Sequence, residues 1–288
     1  MTPARSSPPP LFRTITLTDK DFKSVREIVY ELAGINLHEG KRELVVARLS
    51  KRIRQLNMRN VGEYLSYVRE QNTQEELVSM LDALSTNLTS FWRESQHFDY
   101  VAEHTIPWIV ARTDRDKDWK VRLWSAGCSS GEEPYGLAML LTHRLERPNR
   151  YDLKILATDL STRVLGIAHN GVYTEERVKP VPPDIRRRFF HEVKTAWGKE
   201  YRVMDEVKAL VSYARLNLME SWPMKGPMDF IFCRNVMIYF DKSTQARLVT
   251  RFFELLRPGG TLFIGHSESL TGIEHRFRYV RPTIYEKP

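Results

Sequence analysis

The sequence predicts an α/β chain, with a small all-helical domain ahead of a mostly parallel sheet that carries an antiparallel insertion. Three observations predict it. From Val121 onward, extended apolar runs alternate with helical periodicity, the rhythm of βαβ units. From Thr18 to about Ser90 the pattern is helical throughout. Between about Gly171 and Lys208 the rhythm breaks on Pro180, Pro182 and Pro183. The expected organisation is a Pro/Ser-rich tail at residues 1–13, a helical domain over 14–90, and a sheet domain over 91–288 with its insertion at about 171–208.

In the helical part, Thr18 and Asp21 have capping-box spacing, Phe22, Val25, Val29 and Leu32 recur on one face, and Gly34 closes the segment. A second helix is expected from about Gly40 to Gln55. Two more carry Tyr64, Leu65 and Val68, then Leu77, Leu81 and Leu84. In the sheet part, strands are expected at Val121 to Ser125, Leu153 to Thr158, Val211 to Asn217, Asp229 to Cys233 and Thr261 to Gly265. A helix follows the first of these and runs through Leu145. Arg257-Pro258-Gly259-Gly260 reads as the turn launching the fifth strand, and Tyr279 to Tyr285 as a closing edge strand. The insertion, with extended pieces near Phe189 to Val193 and Tyr201 to Met204, reads as a small antiparallel lobe that either covers the sheet edge or docks a partner.

Composition narrows the class. With 288 residues and 42% hydrophobic content the chain can fill a large and a small core. No run of about 18 uncharged apolar residues appears, so no membrane insertion is expected. The two cysteines, Cys128 and Cys233, lack metal-site or disulfide-framework spacing, which points to a reducing compartment, the cytoplasm, and to small packing residues rather than a redox pair. A net charge of +8 attracts an acidic partner without naming it.

The most informative stretch is Val121 to Tyr135. An apolar strand gives way to Ala126-Gly127-Cys128-Ser129-Ser130-Gly131, and a helix restarts with Pro134 in its first turn. Such an elbow brings backbone close to a ligand at a helix N-terminus. In an open parallel sheet, ligands bind beyond the carboxyl ends of the strands, and here those ends carry Gly127, Asp159, Asn217 and Arg234-Asn235. Asp159 suits a ribose diol, or else it caps the next helix, as Ser161 also could. Ala126 and Cys128 occupy positions where the dinucleotide fingerprint needs glycine, which weakens a pyrophosphate reading. A ligand with adenosine but no phosphates, and with a sulfonium facing Glu132 or Glu133, meets the pattern: S-adenosylmethionine. Glutamates in a helical first turn also simply compensate the helix dipole.

Ser85-Thr86-Asn87-Leu88-Thr89-Ser90-Phe91-Trp92-Arg93-Glu94, Ser130-Gly131-Glu132-Glu133-Pro134-Tyr135 and Phe232-Cys233-Arg234-Asn235-Val236-Met237-Ile238-Tyr239-Phe240 resemble, in this order, the chemotaxis-receptor glutamate O-methyltransferases, the CheR family. The resemblance runs from about Leu17 to Tyr285. It implies an N-terminal helical domain, a Rossmann-like S-adenosylmethionine-dependent methyltransferase domain and an inserted antiparallel β-subdomain. It also implies cofactor contacts at Asn87, Thr89, Arg93, Glu133, Asp159, Asn217, Leu218, Arg234 and Asn235, with Arg93 and Tyr239 close to the transferred methyl and S-adenosylhomocysteine as product. No metal is implied. The implied partner is the cytoplasmic domain of methyl-accepting chemoreceptors, and the implied state a monomer.

On the second helix Arg48, Lys51, Arg52 and Arg54 crowd together, with Arg48, Lys51 and Arg52 on one face. Either this is a solvated face or, following the resemblance, Arg48, Lys51 and Arg54 attract the glutamate-bearing receptor helices. In receptor-tethered members the lobe docks an aromatic peptide through a Gly-rich loop, whereas Glu192 to Lys199 here holds one glycine. Rival readings fit less well. A nucleic-acid amine methyltransferase would carry an Asp/Asn-Pro-Pro-aromatic loop where this chain has Arg234-Asn235-Val236-Met237. An NAD-dependent oxidoreductase lacks its glycines here. The alternative of a non-catalytic S-adenosylmethionine- or receptor-binding adaptor would be free to lose Asn87, Arg93, Asp159 and Asn235.

Overall fold

A computed structural model of the chain describes residues 15–70, 74–196 and 198–288; the expected tail, residues 1–13, lies outside them. The chain divides into one unit containing residues 15–31 and Leu37–Leu84, and a second containing Leu32–Asn36 and Ser85–Pro288.

The first unit is helical: α1 (Asp19–Ala33), whose last two residues belong to the second unit, α2 (Arg42–Gln55), α3 (Val61–Glu70) and α4 (Gln74–Leu84). The capping box forms as its spacing predicts. Thr18 Oγ1 accepts from the Asp21 amide at 3.1 Å, and the Asp21 carboxylate accepts from the Thr18 amide at 3.2 Å. Val25, Val29, Val45, Leu49, Ile53 and Tyr64 are buried in its core. Arg52 departs from the basic face expected of α2. Its guanidinium is turned onto the buried Glu76 carboxylate, with Nε at 2.8 Å from Oε1, and the Tyr64 hydroxyl donates to the same oxygen at 2.8 Å. Lys51 and Arg54 stay exposed, while Arg48 donates to the Leu84 carbonyl at 2.6 Å.

In the second unit a helix absent from the sequence expectations covers residues 95–116: α5 (Ser95–Tyr100), a π-turn at Val101–Thr105, and α6 (Ile106–Asp116). Then follow β1 (Lys120–Ala126), α7 (Glu132–Arg144), β2 (Asp152–Asp159) and α8 (Thr162–Asn170). The insertion comprises β3 (Val172–Thr174), α9 (Glu175–Val178), α10 (Pro183–Phe189), β4 (Phe190–Thr195), β5 (Gly198–Val203) and α11 (Asp205–Lys208). Its strands pair antiparallel in the order β3-β5-β4. The chain continues with β6 (Val211–Arg215), β7 (Met228–Cys233), α12 (Lys242–Leu255), β8 (Leu256–Ile264), β9 (Arg278–Arg281) and β10 (Ile284–Glu286).

The large sheet has the order β6-β2-β1-β7-β8-β10-β9; β6 to β8 are parallel, and β10 runs antiparallel between β8 and β9. Strand order reverses between β1 and β7. Both faces are covered, as parallel sheets require: Leu123, Phe230, Phe232 and Phe263 join one core with α5 to α7 and the lobe, and Trp124, Ile231, Cys233 and Leu262 join the other with α12. At the amino end of β7, the buried Asp229 is held by Arg112 at 3.1 Å and Arg257 at 2.9 Å, a structural knot remote from the strands' carboxyl ends.

Three boundaries differ from expectation. The third expected strand ends at Arg215, and the Leu216 amide makes the last rung of its parallel ladder, to the Asp159 carbonyl at 3.0 Å. Arg257 to Gly260 lies inside β8 as a bulge, marked by the register jump from Met228↔Leu256 to Phe230↔Thr261 and fixed by Gly259 N–H donating to the Lys287 carbonyl at 2.7 Å. Tyr279 to Tyr285 is not one edge strand. Thr283, at φ 65°, turns the chain, so β10 sits between β8 and the edge strand β9.

Candidate active site

The site is built where strand order reverses, from the loops after β1, β2, β6 and β7. The elbow after β1 is shaped by three positive-φ residues, Gly127, Ser129 and Gly131. Gly127 is required by packing: a Cβ there would meet Val236 Cγ2 at 2.3 Å. Close approach at this glycine therefore serves the loop after β7. The Asp159 carboxylate accepts from Ser129 N–H at 2.9 Å and Ser161 N–H at 2.9 Å, tying the loops after β1 and β2 together. The cap of α8 is Ser161, whose hydroxyl accepts from Val164 N–H. Asp159 is thus not the helix cap.

The two glutamates of α7's first turn diverge. Glu132 faces the lobe, pairing with Arg177 at 2.8 Å and accepting from the Ser130 hydroxyl at 2.7 Å. Glu133 faces the sheet, where it accepts from the Ser125 hydroxyl at 2.7 Å and pairs with Arg234 Nε at 3.0 Å. Burial pushes the Glu133 carboxyl above its ordinary range against the pull of Arg234.

Arg234 is a hub. Besides Glu133 it donates to the Arg93 carbonyl at 2.7 Å and to His97 Nδ1 at 3.1 Å. Since Nδ1 accepts, Nε2 carries the proton and donates to Thr283 Oγ1 at 2.7 Å. Burial, with Arg234 and then His266 beside it, drives the His97 pKa down to about 3, so the ring is neutral. Glu94, in a left-handed conformation, gathers the neighbours: its Oε1 accepts from Asn235 Nδ2 at 3.3 Å and His266 N–H at 3.2 Å. Glu94, His97 and His266 are grouped closely enough to ligate a cation. The Arg234 guanidinium already donates to His97 Nδ1 there and lies 3.9 Å from Glu94 Oε2.

The remaining candidates surround this core. The Asn87 carbonyl accepts from the Ser129 hydroxyl at 2.9 Å, while its Nδ2 is buried with no partner among the described residues. Thr89 and Arg93 follow on the same strap, and Arg93 donates to the Leu88 carbonyl at 2.9 Å. Asn217 has its amide engaged by the Leu32 carbonyl at 2.5 Å and by Glu220 at 3.1 Å. Leu218 is buried beside it. Tyr239 is held through its backbone, its carbonyl accepting from Asn36 N–H at 2.8 Å. Ser129 thus joins Asn87 to Asp159, while Arg234, with His97 and Glu94 beside it, gathers Arg93, Glu133 and Asn235 in a second group; Ser129, Glu94 and His97 were not assigned from the sequence. Arg48, Lys51 and Arg54 belong to the first unit. Cys128, two residues beyond β1, and Cys233, the last residue of the neighbouring β7, are free and buried, and burial pushes both thiols up.

The donor set fits an adenosyl sulfonium. A carboxylate at the end of β2 suits a ribose diol, a second buried carboxylate suits a positive charge, and the orphaned Asn87 amide is a donor awaiting an acceptor. This sheet and this site define an S-adenosylmethionine-dependent methyltransferase. Residues 87–285 match the family described as CheR methyltransferase, SAM binding domain, and residues 20–85 match CheR methyltransferase, all-alpha domain. The chain belongs to the CheR methyltransferase family. It is 42% identical over 259 residues to a probable chemotaxis protein methyltransferase of Rhizobium etli, covering 90% of this chain and 96% of the relative. It is 41% identical to chemotaxis protein methyltransferase 2 of Pseudomonas aeruginosa, covering 97% and 98%, and 38% identical to the chemotaxis protein methyltransferase of Escherichia coli, covering 94% and 92%.

Proposed function

We propose that the chain transfers the methyl group of S-adenosylmethionine to side-chain carboxylates of glutamates on the cytoplasmic helices of chemoreceptors, forming methyl esters that tune signalling. The observation that carries this reading is nearly full-length likeness to chemotaxis protein methyltransferases, joined to a buried carboxylate pair, Asp159 and Glu133, at the point where strand order reverses.

S-adenosylmethionine supplies a methyl on a sulfonium, and the protein's task is to hold and orient. Asp159 would accept the ribose hydroxyls, Glu133 would offset the positive charge, and Asn87 Nδ2 would donate to the ligand. Thr89, Asn217, Leu218 and Asn235 would complete the cofactor's surroundings, and Arg234 would act through Glu133 and the Arg93 backbone. Arg93 and Tyr239 would orient the incoming carboxylate for in-line attack. A glutamate side chain, with an ordinary pKa of about 4.3, is already ionised at neutral pH, so no general base is needed. Orientation then carries the rate. On α2, Lys51 and Arg54, with Arg48 behind them, would draw in the acidic receptor helix.

Calorimetry tests the cofactor part. Asp159→Ala should lose roughly tenfold or more in affinity for S-adenosylmethionine, the scale of losing a charged hydrogen-bond partner, when measured on the folded variant well below its own melting temperature. Parent-like affinity in that variant would remove Asp159 from the site.

A further inference from the structure

The loop after β7 carries Arg234, Asn235 and Tyr239, yet its own backbone is irregular. Asn235 sits at φ 58° and a single 3-10 turn spans Met237–Tyr239. The amides of Tyr239 and Phe240 bond back to the Val236 and Met237 carbonyls, and one side chain takes those of Asn235 and Ile238. Glu268, 8% exposed, accepts from Asn235 N–H at 2.9 Å, Ile238 N–H at 3.2 Å and Gly265 N–H at 2.5 Å. No cation pairs with this carboxylate among the described residues. A buried, unpaired carboxylate is costly unless hydrogen bonds stabilise it, so the loop and the carboxylate satisfy each other. A second observation marks the same junction. A Cβ on Gly265 would meet Asn235 Nδ2 at 2.5 Å and Asn235 N at 2.7 Å, so the end of β8 is pressed against the loop at a position that only glycine allows.

We propose that Glu268 is the positioning residue of the methyl-transfer site, stapling the carboxyl ends of β7 and β8 so that Asn235 and Tyr239 are presented in register with the loops after β1 and β2. Glu268 touches neither reactant in this role; it acts through the loop. The inference rests on the proposed function for its kinetic readout and on the geometry alone for its structural one.

The test uses Glu268→Gln and Gly265→Ala in the full chain. Gln keeps the size and one acceptor oxygen but turns an NH2 group toward an amide donor. The expected result is a kcat lowered roughly tenfold to a hundredfold in both variants, the scale of a misplaced reacting group. Weaker S-adenosylmethionine binding by calorimetry and faster amide exchange confined to the 235–239 loop should accompany it. A purely structural role would instead accelerate exchange across β7 and β8 together, with kcat per folded molecule unchanged, and that overturns the proposal. Parent-like kcat and cofactor affinity with a loosened loop overturn it equally. If Glu268→Gln does not fold, Gly265→Ala decides by the same criteria. A parent that fails to methylate receptor refutes the proposed function, whereas the loop exchange and cofactor affinities still judge Glu268.

Discussion

At Arg234 the guanidinium serves a glutamate, a histidine and a backbone carbonyl at once, which makes the neutrality of His97 a requirement for the arrangement. Protonating that ring would set a second cation against Arg234. The histidine pKa falls from 6.5 to about 3 on folding, so between those values the unfolded chain binds the extra proton and stability rises with pH. This contribution is complete above about pH 6.5 and is lost as pH falls toward 3, at a limiting slope of about 1.4 kcal/mol per pH unit. Denaturant unfolding at pH 7 and pH 5 should show a smaller acid loss in His97→Gln than in the parent; equal losses would assign the acid sensitivity elsewhere. Asp159 and Glu133 could be found in the sequence because a strand end and a helical first turn place them by local pattern. His97 and Glu94 could not, because their partners Arg234 and Asn235 lie 137 and 141 residues further along. Glu268 stood in view after the fifth strand as an acid in a loop, and only the fold shows the amides that it accepts.

Among the elements, α2 separates two kinds of basic residue that helical spacing alone had grouped. Arg52 completes the first unit's core by neutralising Glu76, whereas Lys51 and Arg54 face solvent. Arg52→Ala should destabilise the helical unit by roughly 1–3 kcal/mol, since it leaves a buried carboxylate short of donors. Lys51→Ala should change stability by no more than about 0.5 kcal/mol. Thermal or denaturant melting distinguishes them, and similar losses would contradict the inward assignment of Arg52. If α2 docks acidic receptor helices, Lys51→Glu with Arg54→Glu should raise the Michaelis constant for receptor at low salt, and the effect should shrink as salt screens it; an unchanged constant removes α2 from the docking face. Strands with strict alternation or a fully apolar run were legible in the sequence. β3, the β9–β10 hairpin and the bulge in β8 were not, because three- and four-residue strands leave too little pattern and a bulge depends on its partner strand.

For the whole molecule, the net charge of +8 is compatible with many acidic partners, and the reversal of strand order with many nucleoside ligands. The motifs around Asn87, Glu133 and Arg234 narrow both, and the match of residues 20–85 and 87–285 to the CheR methyltransferase family agrees with them. Among the described residues no helix is long and apolar enough to cross a membrane. The central claim is that one site holds S-adenosylmethionine and delivers its methyl to receptor glutamates. It is tested most directly by transfer of radiolabelled methyl to the glutamate-bearing cytoplasmic fragment of a receptor, followed by mild base. Volatile label should be released from the parent reaction and, at limiting S-adenosylmethionine, roughly tenfold less or lower still with Asp159→Ala. Label that stays on the receptor after base, or no label on receptor from a parent that binds S-adenosylmethionine, would contradict it.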